Sequence, residues 1–478
     1  MNKENAMDEN YGFDRFLLEK WGSANAGEDQ KERRTACRKF QKALKDNDVA
    51  AAGTIRAWFG LGKRSEPNRE KMVQLAFALG LSHQELDEYL QKGLRMPGIQ
   101  VNDYREMIYY YGLEHCLSIQ ECDQMILVFE KHMCRAYVPV QEAHTVKLWR
   151  YYETWRQKDP VHFLKEMCTH AEMFKGYSKT TLDHFNRLKS QLLQDIRRSI
   201  RKNLLNDLKE LGYMEEVAPY TLENSGEKEE IHRFLKNISR RVEVKNNPEM
   251  QALIQSVRRD CSVVYSGHER NRDLLRELYS PAMSGQDGKS IRYKKRTDAQ
   301  KSYGLSYMTE RHISDLVGIS IQKEREIRLA QAIASLEGED TDSACPGWIC
   351  RLMKQELPEK SSKQEWQEIT TGQAKKLLTK MHRKQKSRCL LIQREDLLPL
   401  LMEVARRKYH QDKEKTGEKE SPQEAQKYFC TMANTILGAC SMAPLDERYA
   451  LDKKLLDSFW EEEMDSFADL LEEEDQAL

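Results

Sequence analysis

The chain has 478 residues, with 77 Lys plus Arg set against 77 Asp plus Glu and a formal net charge of zero. That length excludes a single small domain and predicts roughly two to four of them. Gly and Pro, 23 and 12 residues, are scarce for so charged a chain, and no stretch alternates apolar and polar residues at the strand period, so the expected fold is all-α and multidomain.

Residues 1–30 are expected to form a disordered tail, because Gly22-Ser-Ala-Asn-Ala-Gly27 offers no large apolar group to pack. A first domain is expected over 31–140. Within it, Met72, Leu75, Ala76 and Leu79 recur at helical spacing, and Gly80 follows where a left-handed cap is needed. Ser82 with Glu85 predicts a capping box for a next helix carrying Leu86, Tyr89 and Leu90. Upstream, Ile55, Trp58 and Phe59 share a face and leave Arg56, Lys63 and Arg64 to meet phosphates. This order, an Ile55-to-Trp58 helix, a basic turn and then Leu75-Ala76-x-x-Leu79-Gly80-x-Ser82, resembles the second half of the phage-repressor or Cro-type helix-turn-helix. The resemblance implies a small helical domain docked on double-stranded DNA, with Thr54, Arg56, Lys63 and Arg64 in contact. In that family the positions ahead of Ile55 carry polar readers of base edges; here they are Ala50, Ala51, Ala52 and Gly53, with Thr54 the polar exception, so contact through phosphates is expected to dominate.

Met96-Pro-Gly98 breaks the chain, Asn102-Asp103 caps a helix through Met107, Ile108 and Tyr111, and Ser118 with Glu121 caps another ahead of Met125, Ile126 and Phe129. A helical domain is expected over 141–221, dominated by one long amphipathic helix from Thr181 to Leu211. Its polar face holds Arg187, Lys189, Arg197, Arg198, Arg201 and Lys202, and its apolar period lies near a coiled-coil seam without sustaining heptads, which admits a homodimer. Residues 223–230 read as a linker. A domain over 231–338 contains a glycine-bearing basic loop with Arg292, Lys294, Lys295 and Arg296. Directly after it, 309–327 is similar to the general helix-turn-helix pattern, with Ser314 at the small position, Gly318 in the turn, and Gln322, Lys323 and Glu326 as polar readers.

Polar connections are expected over 337–365 and 411–423, flanking a helical segment at 366–410, and an acidic helical unit closes the chain over 424–478. Residues 461–475 alternate carboxylate clusters with Met464, Phe467, Leu470 and Leu471, an amphipathic helix whose negative face suits the basic loop. Residues 88–104 and 435–449 echo one another: helix, Met near Pro, a polar cap, then a Tyr-bearing helix.

No Walker loop, dinucleotide fingerprint, H-E-x-x-H or G-x-S-x-G occurs, and Pro160 separates Arg156 from His162, so enzymatic chemistry is not expected. The 11 cysteines are scattered and never spaced C-x-x-C; reduced, mostly buried thiols and no metal or cofactor are expected. With no signal-peptide core in Met1–Asn10 and no long apolar run, a cytoplasmic location without a membrane partner is expected. The composite expectation is a DNA-binding transcriptional regulator. The competing one is a helical scaffold whose degenerate helix-turn-helix docks proteins and touches no DNA.

Overall fold

The computed structural model describes residues 11–22, 30–44, 49–133, 143–174, 176–213, 226–265, 278–279, 305, 308, 312, 316, 319–356, 369–386, 392–417, 419, 421–460, 467 and 470, with backbone alone at 133, 319–324, 326, 355–356 and 383–386. Among these residues the only β contact is an isolated bridge, Ala344 with Thr370, and the rest of the regular structure is helical. The helices are α1 Phe13–Trp21, α2 Gln30–Ala43, α3 Ala52–Trp58, α4 Arg69–Leu79, α5 His83–Glu88, α6 Tyr104–Glu114, α7 Ile119–Met133, α8 Thr145–Trp155, α9 Pro160–Thr169 and α10 Lys179–Glu210. They continue with α11 Glu227–Ile238, α12 Val242–Lys245, α13 Pro248–Val264, α14 Ile319–Ser335, α15 Gly347–Glu356, α16 Thr371–Lys386, α17 Arg394–Thr416, α18 Pro422–Ala439 and α19 Ala450–Ser458.

The chain divides into two compact units, one of residues 1–185 with 300–461, the other of 186–299 with 462–478. This partition cuts across the domains expected from sequence. The stretch 231–338 is shared between the units, and the N-terminal segment belongs to the same unit as residues near the far end. Such a join is invisible to composition, because it depends on pairings between residues more than three hundred positions apart.

In the first unit, α1 to α9 enclose one aromatic-rich core that includes Phe13, Phe16, Phe40, Trp58, Phe59, Met107, Tyr111, Phe129, Tyr152 and Phe163. Part of the stretch expected as a disordered tail is helix α1. Although Gly22–Gly27 is poor in apolar groups, the preceding Phe13, Phe16, Leu17 and Leu18 form one face of α1 and are all buried. The caps read from sequence are made: Gly80 closes α4 at φ 64°, Ser82 and Glu85 form a reciprocal box, and Asp103 accepts from the amides of Arg105 and Glu106; the structure adds Asn68, which accepts from the Lys71 amide at the start of α4. Pro160 takes the first position of α9 with Asp159 as its cap, so Arg156, the residue that ends α8, and His162 of α9 do not share a helix.

A second core in this unit joins α14, α15 and α16 through Leu329, Ala332, Ile349, Leu352, Met353, Ala374 and Leu378. Helix α15 lies inside the expected polar connection 337–365, because Ile349, Leu352 and Met353 give even that polar stretch a buried face. Helix α17 likewise runs to Thr416, well into the expected connection 411–423, where Lys413 pairs with Glu424 of α18 at 3.0 Å and Gly417 caps at φ 66°.

The echo between 88–104 and 435–449 has a structural counterpart. Arg95 and Ser441 both adopt left-handed backbone, at φ 54° and 57°, each followed by a methionine whose amide turns back to a preceding carbonyl, Met96 to Leu90 and Met442 to Leu437. The two segments also meet. The Gly98 amide donates to the Ser441 carbonyl at 2.8 Å, the Arg95 guanidinium donates to the Pro444 carbonyl and to Asp452, and the Arg95 guanidinium lies 4.0 Å from the centre of the Tyr449 ring.

The second unit is built on the distal part of α10. Leu204, Leu208, Leu211 and Tyr213 pack on Ile231, Phe234, Leu235 and Ile238 of α11, Val244 of α12, and Ile254, Val257 and Cys261 of α13. Asn247 caps α13 through the Glu249 and Met250 amides, with Pro248 at its first position.

Candidate nucleic-acid interface

The helix-turn-helix candidate read from sequence spans α3, the basic turn and α4, and α1 and α2 pack against α3. Ala36, Cys37 and Phe40 of α2 and Ile55, Trp58 and Phe59 around α3 are buried together with the α1 face. A buried ion pair fixes the angle between them: Arg33 Nη1 lies 2.6 Å from Asp14 Oδ2 and donates to the Phe59 carbonyl at 3.0 Å, both side chains being under a tenth exposed. Gly60, at φ 68°, lets the chain pass against that guanidinium where a Cβ would collide with Arg33.

With those apolar sides turned inward, Thr54 and Arg56 of α3 are exposed, beside the small exposed residues Ala51, Ala52 and Gly53. Lys63 is exposed in the turn that follows. Arg64 is also exposed, yet its Nε lies 3.5 Å from Asp14, so it is not the unencumbered phosphate anchor that the sequence alone implied.

The larger positive surface comes from α2, which the motif reading passed over. Burial of Arg33, Ala36, Cys37 and Phe40 leaves Lys31, Arg34, Arg38, Lys39 and Lys42 exposed along the opposite side. Arg56 of α3 is exposed as well; burial pushes the Cys37 thiol up from its usual range, and the charges of Arg56 and Arg38 pull it back in part. Among the described residues no carboxylate engages Arg38, Lys39, Lys42, Arg56 or Lys63. The signal was in the sequence, since Lys31 to Lys42 holds one acidic residue, Glu32, among six basic ones.

The remaining sequence-derived candidates divide sharply. Arg292, Lys294, Lys295 and Arg296 lie outside the described residues. Gln322, Lys323 and Glu326 fall in the N-terminal half of α14, described there as backbone only, while the following residues Leu329 and Ala332 are buried in the α14–α16 core and Ile327 in the aromatic core. The basic face of α10 is partly neutralised: Arg198 pairs with Asp195 at 3.3 Å, Arg201 with Glu227 at 3.5 Å, and burial pulls the Lys189 ammonium below its usual range. The acidic stretch 461–475 lies outside the described residues except for Phe467 and Leu470. No helix among the described residues is long and apolar enough to cross a membrane. No family model matches the chain, and neither does any curated protein or any solved structure.

Proposed function

We propose that the chain is a DNA-binding protein of the helix-turn-helix type, gripping the duplex mainly through its backbone and acting in transcriptional regulation. One observation carries the reading: the exposed side of α2 presents Arg38, Lys39 and Lys42, and α3 presents Arg56, without carboxylate partners among the described residues. A first helix crossing the phosphate backbone while the second faces the groove is the docking geometry of this motif. Thr54 is the sole polar side chain over the exposed run 51–54, so sequence preference is expected to be weak.

The test is the salt dependence of duplex binding by the full chain. Each phosphate contact contributes about 0.9 to the slope of log affinity against log salt, so replacing Arg38, Lys39 and Lys42 by alanine lowers the slope by about 2.7. Duplex binding with an unaltered slope refutes the reading. A scaffold role draws on a different observation, the exposed Ala51, Ala52 and Gly53, whose small side chains admit a closely packed partner helix; it is favoured if the chain ignores DNA at low salt.

A further inference from the structure

We propose that α16 carries a second phosphate-binding face, one that docks the nucleic-acid duplex along an exposed lysine edge. The proposal rests on the DNA-binding reading and extends it to a helix that no motif singles out. In a chain whose charges balance overall, residues 371–386 contain Lys375, Lys376, Lys380, Arg383, Lys384 and Lys386 and not one Asp or Glu. Helices that need charge only for solubility carry both signs, paired one turn apart, as α17 does with Arg407 and Glu403 at 3.5 Å. A face of one sign repels itself, and a polyanion relieves that repulsion. The helix dipole accounts for cations in the last turn only. Lys375 and Lys376 sit in the first half.

Packing decides which way the helix looks. Ala374 and Leu378 are buried and Leu377 and Met381 half-buried against α14 and α15, which leaves Gln373, Lys376 and Lys380 in solvent, with the two lysines one turn apart. Among the described residues no carboxylate engages Lys376 or Lys380. The helix is also firmly seated: Thr370 Oγ1 accepts from the Gln373 amide at 3.3 Å, the Gly372 amide donates to the Thr341 carbonyl at 2.9 Å, and Thr370 bridges to Ala344. A rigid cationic edge suits the regular charge of a duplex, which presents about one phosphate per 1.7 Å of axis. A bilayer surface is the wrong partner, because an interfacial helix must bury an apolar face in lipid and the apolar side of α16 is already used inside the protein.

The experiment follows binding of a mixed-sequence DNA duplex to the full chain by fluorescence anisotropy over a salt series. Three proteins are compared: wild type, Lys376→Ala/Lys380→Ala, and Arg38→Ala/Lys39→Ala/Lys42→Ala. The α16 variant is expected to lower the salt slope by about 1.8, and Lys376→Arg/Lys380→Arg to restore it. Unchanged circular dichroism is expected, since both lysines are exposed. A wild-type slope for the α16 alanine variant overturns the proposal while leaving the α2 reading to stand or fall on its own variant. Loss confined to the α16 variant supports α16 and sinks α2. Binding to anionic phospholipid vesicles through these lysines, with none to the duplex, also overturns the proposal.

Discussion

Asp14 is the residue on which the candidate interface turns. Nearly sealed from water, it holds Arg33 at 2.6 Å and draws Arg64 to 3.5 Å, so one carboxylate both ties α1 to α2 and quenches an exposed cation beside the proposed DNA face. Removing it strands a buried guanidinium, a change that typically costs about 3–5 kcal/mol. Asp14→Ala is therefore expected to lower the denaturation midpoint markedly; a midpoint equal to wild type refutes the pairing. The same geometry separates Lys63 from Arg64. Lys63→Ala is expected to reduce the salt slope of duplex binding by about 0.9, and Arg64→Ala by less, because Asp14 already competes for that guanidinium. Equal reductions in the two variants would contradict this ranking.

At the scale of elements, the sequence was most legible where local rules decide. Met72, Leu75, Ala76 and Gly80 marked α4 and its cap, Ser82 with Glu85 marked the start of α5, and the long apolar period from Thr181 marked α10, found at Lys179–Glu210. The cap at Gly80 is a clean case for measurement. Its φ is 64° and nothing lies within 4 Å of an added Cβ, so Gly80→Ala is expected to cost about 1–2 kcal/mol from backbone conformation alone. Gly112 tests packing instead, since a Cβ there would overlap the buried Cys122 sulfur where α6 meets α7. Gly112→Ala should destabilise, and adding Cys122→Ala should recover part of the loss. Strictly additive effects would refute the contact. Reading failed where an element depends on partners distant in sequence. α1 and α15 are short, and Phe13, Phe16, Leu17 and Leu18, or Ile349, Leu352 and Met353, mark the sides that other helices cover. Motif-led reading also drew attention to Lys63 and Arg64 and away from the denser cationic edge of α2.

For the molecule as a whole, the informative fact is that the amino-terminal segment is joined to the C-terminal segment of the first unit by direct contacts. Tyr449 of the C-terminal segment donates to the Lys92 carbonyl, the Tyr11 and Tyr449 rings meet edge-on at 5.0 Å, and Asp452 accepts from both Arg95 and Arg394. Arg394 is 1% exposed and also donates to the Ala443 carbonyl at 2.8 Å, while burial raises the neighbouring Glu395 carboxyl above its usual range and nearby Arg394 and Arg95 partly offset that rise. Asp452, itself 1% exposed, is thus the shared counter-charge between the beginning and the end of the first unit. A fragment of residues 31–140 lacks α1 and this clamp, and it is expected to melt without a cooperative transition. In the full chain, Asp452→Asn keeps the shape of the side chain but leaves two inward-facing guanidinium groups short of their counter-charge, a loss expected to cost about 3–5 kcal/mol. Because Arg95 and Gly98 are held by residues 441–452, the damage should reach the amino-terminal half. Amide hydrogen exchange is expected to quicken at residues 89–101 as well as around α19. Faster exchange confined to α19 would mean that the clamp does not couple the two segments, and the first unit would then have to be regarded as two independently stable parts.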